Sequence, residues 1–205
     1  MIGFLSVPDS TPEARQVFDE DLAELGYVMN VTRLWAYQPA TGKGLFALAR
    51  QATSADPLSL RQRFILVAAC ASAFGDSYCS LVWAGKLAEA SDATTAAAVL
   101  RGGEDGLAPS ERAMAGWARK VARDPNATTA DDVQALREAG FSDPQIFAMT
   151  VFVALRLAFS TVNDALGVQP DAALRTTLPA VIVDAVTTGR PIQPEASHDT
   201  VDTRC

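Results

Sequence analysis

The sequence predicts an all-α fold, and three observations carry that prediction. Apolar residues recur at helical spacing along most of the 205 residues. Helix-capping residues stand before most of these stretches. No alternating run framed by hairpin turn residues interrupts them.

Taken in order, Ser10-Thr11-Pro12-Glu13 opens a helix reaching about Leu25. It offers a hydroxyl cap, a proline in the first turn and an acid against the positive end of the dipole. Gly26 stops it. Two short helices follow, Thr32 to Tyr37 and Gly42 to Gln51, separated by Gln38-Pro39-Ala40. Ser54-Ala55-Asp56-Pro57 leads into a strong helix from Leu58 to about Phe74, apolar almost all round, as a helix buried on several sides is. Gly75-Asp76 breaks the pattern, and the next helix runs from Ser77 to about Ala90. Ser91-Asp92-Ala93-Thr94 caps a short helix ending at Arg101-Gly102-Gly103, and Pro109-Ser110-Glu111 starts one reaching Ala122. Thr128-Thr129-Ala130-Asp131 and Ser142-Asp143-Pro144-Gln145 have capping-box spacing, the first with Asp where Glu or Gln is usual, ahead of helices Asp131 to Ala139 and Pro144 to Leu166. Gly140 and Gly167 are placed as stops. A last helix is expected over Leu178 to Thr188, with Pro179 in its first turn.

Such helices on short connectors predict one helical bundle over residues 1–190. Residues 191–205 are polar and patternless and read as a disordered tail. At 49% hydrophobic content the chain buries a sizeable core without a staple. A net charge of −7 with 17 Lys and Arg leaves no footprint for nucleic acid. Met1 to Val7 lacks a basic region and does not read as a signal peptide. Phe64 to Phe74, taken as the longest apolar stretch, is far short of the roughly 20 residues of a membrane span. A cytoplasmic protein with no membrane partner is expected, and three cysteines at no framework spacing fit a reducing compartment.

The one histidine, His198, falls in the tail. A Ser-His-Asp triad, a Cys-His dyad and a histidine-bearing metal site within the bundle are therefore excluded, so no metal and no cofactor are expected. Any chemistry rests on cysteine, carboxylates, arginine, tyrosine or a bound cofactor, though none is assigned.

Arg61-Gln62-Arg63-Phe64-Ile65-Leu66-Val67-Ala68-Ala69 followed by Gly75-Asp76-Ser77-Tyr78-Cys79 resembles the core of the carboxymuconolactone decarboxylase and AhpD-like superfamily, nearest its peroxidase-related group. Glu24-Leu25-Gly26-Tyr27-Val28-Met29-Asn30-Val31 is similar to that group's N-terminal element. Leu107 to Lys120, Arg123-Asp124-Pro125 and Asn163-Asp164-Ala165-Leu166-Gly167-Val168 are similar to its second half. The resemblance implies an AhpD-like helical bundle, homo-oligomerisation, and alkylhydroperoxidase-type chemistry on a peroxide or another small molecule. The family's centre is Cys-x-x-Cys-x-x-x-His with a glutamate one helix upstream. Cys79 takes the second cysteine's place, while Asp76, Trp83 and Phe64 replace the first cysteine, the histidine and the glutamate. The family's frequent Asn and Arg align with Ser160 and Thr161.

Cys79 is thus the candidate catalytic residue, and Arg61, Phe64, Asp76, Tyr78 and Trp83 are the candidate pocket. With Asp76 as N-cap, Cys79 lies in the first turn, where the dipole favours a thiolate by about 1 kcal/mol. The Asp76 carboxylate opposes this, and the expected balance is a thiol near the ordinary value of about 8.5. Cys79 reads as a reactive thiol or as a small residue in a pocket wall. Phe64 and Trp83 read as a plug or as the walls of an apolar site, and the Tyr78 phenol points into the site or away. Arg61 and Arg156 require partners, with Asp76, Asp164 or a ligand carboxylate as the options. Two functions follow. One is a single-thiol, peroxidase-related oxidoreductase of weak or altered activity. The other is a non-redox member that binds or transforms a hydrophobic small molecule.

Overall fold

The computed structural model describes residues 3–54 and 57–194. Among them it has eleven α-helices, a 3-10 turn at Pro125–Ala127, and no strand beyond an isolated bridge at Leu5. His198 and Cys205, with most of the expected tail, lie outside the described residues.

Helices α1 (Pro12–Leu25), α2 (Asn30–Trp35) and α3 (Pro39–Ala52) form the N-terminal layer. Thr11 caps α1 through the Ala14 N–H, and Gly26 ends it in the left-handed conformation at φ 79°. The centre of the fold is α4 (Leu60–Phe74), which packs against α5 (Ser77–Ala90), α6 (Ala93–Leu100), α7 (Pro109–Arg123) and α9 (Asp143–Ala165). Ile65 through Ala71 are all buried. The all-round apolar character of α4 is therefore satisfied within one chain and supplies no argument for a second copy.

The start of α4 differs from the expectation. Ser59, not the Ser54–Pro57 segment, is its cap: the Gln62 N–H donates to Ser59 Oγ, and the Gln62 amide oxygen accepts from the Ser59 N–H. Of the later capping boxes, Ser142 with Gln145 on α9 forms as spaced, whereas the one on α8 (Ala130–Glu138) forms one residue later than expected, with Thr129 rather than Thr128 as cap and Asp132 rather than Asp131 as its partner. By length and composition α9, rather than α4, is the helix that could cross a membrane. Here its buried face, including Met149, Val153 and Arg156, packs against α3, α4 and α7.

The expected last helix is the clearest miss. Residues 174–183 form only two single turns, α10 (Leu174–Thr177) and α11 (Ala180–Val183). Val181-Ile182-Val183 and Val186-Thr187-Thr188 are β-branched and lose side-chain freedom in a helix. The chain instead drops Ile182 and Ala185 into the core. It then crosses the N-terminus of α5, where Ser77 Oγ donates to the Arg190 carbonyl at 2.7 Å. Gly189 is required there: at φ 84°, a Cβ would lie 2.4 Å from the Gly75 carbonyl oxygen. The Gln193 N–H reaches the Pro170 carbonyl, and the Asn30 amide reaches Gln193 Oε1, so the ordered body extends through Gln193.

Candidate functional site

The turn between α4 and α5 sets the site. Gly75 ends α4 at φ 91°, and Asp76 follows at once as the N-cap of α5. Asp76 Oδ1 accepts the Cys79 N–H at 2.9 Å, placing Cys79 in the first helical turn as its spacing predicts. Asp76 is fully buried, and its Oδ2 has no hydrogen-bond partner.

Cys79 is 2% exposed, and that burial overturns the expected near-normal thiol. Burial pushes it well above the usual cysteine range and the Asp76 carboxylate adds to the effect; Arg156 and a Ser160 hydrogen bond oppose it without cancelling it. Desolvation, which acts beyond the helix dipole and Asp76, is the largest influence.

Arg156 is the residue that the sequence reading left without a place. Its Nη2 donates to Cys79 Sγ at 3.6 Å. Neither Asp76 nor Asp164 forms an ion pair with it. Its guanidinium instead sits among three rings, 4.7 Å from the centroid of Trp83 and 5.2 Å from those of Phe46 and Phe159. Such contacts favour a cation in a desolvated setting by about 1–2 kcal/mol. Arg156 is 4% exposed, and its Nε has no partner. Along the same face of α9, Ser160 and Asn163 follow at one and two turns. Asn163 accepts the Trp35 indole N–H at 2.9 Å, and its Nδ2 is unpartnered. The sequence signal for this row was an arginine inside an apolar run. Thr161 is exposed and takes no part.

The other candidates separate. Trp83 stays at the site, tilted against Phe64 at 5.7 Å, and these rings close one side of the Arg156–Cys79 pair. Arg61 does not belong to the site. It makes a two-pronged pair with Glu111 at 2.8 and 3.1 Å and also holds the Gly106 carbonyl, tying α4 to α7. Tyr78 faces away, its phenol donating to Asp171, which also accepts the Asn30 N–H at the start of α2. Cys70 is free and buried, with a thiol pushed up to about 12 by burial, and it packs in the main core rather than with Cys79. Asp164 is half-buried, and burial together with the Asp76 carboxylate raises it to about 7, opposed by Arg190. Among the described residues, no three His, Cys, Asp or Glu side chains are placed to hold a metal ion.

The helix order and this cysteine-bearing α4–α5 turn define the AhpD-like fold. Among solved structures, an AhpD-core, peroxidase-related protein from Ralstonia eutropha JMP134 is similar at 24% identity and a TM-score of 0.74, over 85% of this chain and 95% of that one. A peroxidase-related protein from Silicibacter sp. TM1040 is similar at 21% identity and a TM-score of 0.73, over 85% and 94%. The debrominase Bmp8, in a cysteine-to-alanine form bound to 2,3,4-tribromopyrrole, is similar at 17% identity and a TM-score of 0.69, over 88% and 97%. At these identities the shared property is the fold. No family matches the chain by sequence, and no curated protein is similar to it in sequence.

Proposed function

We propose that the chain is a peroxidase-related oxidoreductase with one working thiol, Cys79, and slow turnover. The observation that carries this reading is the Arg156 guanidinium against the Cys79 sulfur, a buried cation with no carboxylate partner. A protein interior holds such a charge at considerable cost unless an anion forms beside it. The anion in this reading is the Cys79 thiolate.

Asp76, whose buried Oδ2 has no hydrogen-bond partner, takes the thiol proton as the thiolate pairs with Arg156. Cys79 Sγ attacks the terminal oxygen of a hydroperoxide, the O–O bond breaks, and the alkoxide leaves with the proton held by Asp76. Sulfur is oxidised to the sulfenic acid as the peroxide is reduced to the alcohol. Cys70 does not pack beside Cys79, so resolution falls to a small external thiol. One molecule forms a mixed disulfide and releases water; a second restores Cys79 and leaves as the symmetrical disulfide. Turnover is slow because the resting thiol is protonated and, among the described residues, no histidine stands at the site to relay protons.

The test is hydroperoxide consumption with a monothiol reductant by the wild type, Cys79→Ser and Arg156→Met. Slow wild-type turnover, absent from Cys79→Ser and about tenfold lower in Arg156→Met, is expected. Equal background in all three would sink the redox reading. It would favour the second reading, a non-redox site for a hydrophobic small molecule, for which the rings around Arg156 would supply apolar walls.

A further inference from the structure

We propose that the groove between α1, α2 and α3 is a ligand-binding site leading to Cys79. It takes an apolar aromatic or alkyl molecule ending in a small acidic group, and Phe46 is the movable partition between groove and thiol. The inference rests on the reading of Cys79 as the working thiol.

The groove encloses about 400 Å³, and its apolar wall is Val17, Met29, Val31, Trp35, Pro39 and Phe46. That volume is within the usual range of small-molecule sites. Met29, Val31, Trp35 and Phe46 also belong to the apolar cluster that holds Cys79 and Phe159. One layer of side chains therefore has the groove on one side and the site on the other. At Phe46 the layer is a single ring, 5.0 Å from Phe159 and 5.2 Å from the Arg156 guanidinium, whose Nη2 is on the sulfur. Phe46 is only partly buried, and a rotamer change would join the groove to the guanidinium.

What waits behind Phe46 selects the ligand. Arg156 Nε and Asn163 Nδ2 are buried donors with no acceptor. Buried donors in a native protein normally have a partner. An acidic group passing Phe46 meets the first of these donors and the positive charge together. The groove lining itself is balanced in charge, with Glu20 and Asp21 against Lys43 and Arg50 and Lys43 paired to Glu20 at 3.2 Å, so the preference for an acidic group comes from Arg156 behind Phe46. The apolar walls take the body of the molecule.

The probes are 2-naphthoate and the uncharged 2-naphthalenemethanol, titrated calorimetrically into full-length Cys79→Ser protein, so that binding is read without redox chemistry. Saturable naphthoate binding is expected, with the alcohol at least about tenfold weaker. Arg156→Met should abolish that preference. Val17→Trp, which puts an indole into the groove, should weaken naphthoate at least about tenfold; Thr32→Phe serves the same purpose if the first variant does not fold. In the wild-type background, Phe46→Ala should speed Cys79 alkylation by iodoacetamide about tenfold or more, since one fewer ring must open. Naphthoate bound equally by parent and filled-groove variants, or alkylation unchanged by Phe46→Ala, would overturn the proposal. A protein that binds naphthoate this way and consumes no hydroperoxide would instead remove the redox reading and leave the site standing.

Discussion

Arg156 and Cys79 lie 77 residues apart in sequence and 3.6 Å apart at their Nη2 and Sγ atoms, the first on α9 and the second in the first turn of α5. The guanidinium answers the sulfur and three aromatic rings and no carboxylate. This sets it apart from a structural ion pair, in which removal of one partner strands a charge.

Replacing Arg156 with Met therefore has an unusual expected profile. Stability should change by no more than about 1 kcal/mol, because no buried carboxylate is left behind; breaking a true buried pair costs about 3–5 kcal/mol. Alkylation of Cys79 at pH 9, read by mass spectrometry, should slow about tenfold as the thiol rises further. A large loss of stability in urea with unchanged alkylation would make Arg156 a purely structural residue.

Asp76 acts on the helix and on the sulfur at once. Asp76→Asn keeps a good cap and removes the charge, so Cys79 alkylation at pH 8 should rise about three- to tenfold with little change in stability. Asp76→Ala should lower stability by about 1 kcal/mol through loss of the cap. Urea titrations paired with alkylation rates separate the two roles.

Asp164 ties stability to pH. Its carboxyl is raised to about 7 in the folded chain, whereas the unfolded group stays near the ordinary 3.8. Between these values the folded state binds the extra proton, so its stabilisation is full below about pH 4 and is lost as pH rises through about 7. Asp164→Asn should accordingly be more stable than wild type at pH 8, and the advantage should shrink by pH 5. Urea titrations at both values check this; a constant difference would assign the effect to packing.

Arg61 separates fold from site. Arg61→Ala should cost about 1 kcal/mol or more through its pair with Glu111 and leave Cys79 alkylation unchanged. A changed alkylation rate with intact stability would return Arg61 to the site.

Installing a two-thiol centre with a proton carrier is the strongest chemical test. Asp76→Cys combined with Trp83→His should raise hydroperoxide turnover with a dithiol reductant above wild type, and Asp76→Cys alone should raise it less, since no proton carrier is added. The double variant also removes the ring 4.7 Å from Arg156, so its melting point should fall. No gain in turnover from the double variant would show that the scaffold around α5 does not support two-thiol chemistry.

What the sequence revealed divides by range. The Asp76 cap and Cys79 in the first turn were legible because Gly75 and Asp76 interrupt two apolar patterns within a few residues. The Arg156 contact was legible only as a need, a charge in the run Val151 to Phe159, because its answer lies on another helix. Arg61 was assigned to the pocket from its position one turn before Phe64, and helical spacing says nothing of Glu111 fifty residues on. Phe46 and Phe159 carried no signal of their own in the sequence; their role comes from packing around a cation on another turn or helix. The expected helix at Leu178 failed because periodicity was weighed there above β-branching.

The distance along the chain between Cys79 and its cover has a consequence for synthesis. At roughly 10 residues per second, a ribosome reaches Arg156 about 8 s after Cys79, and Arg190, which closes over Ser77, about 11 s after Ser77. Through that interval α5 is made but α9 and the crossing segment are not. The thiol is then open to water with nothing to hold its proton, and alkylating or oxidising agents meet it in the nascent chain more readily than in the finished fold. Damage at Cys79 should therefore track the rate of new synthesis rather than the age of the protein.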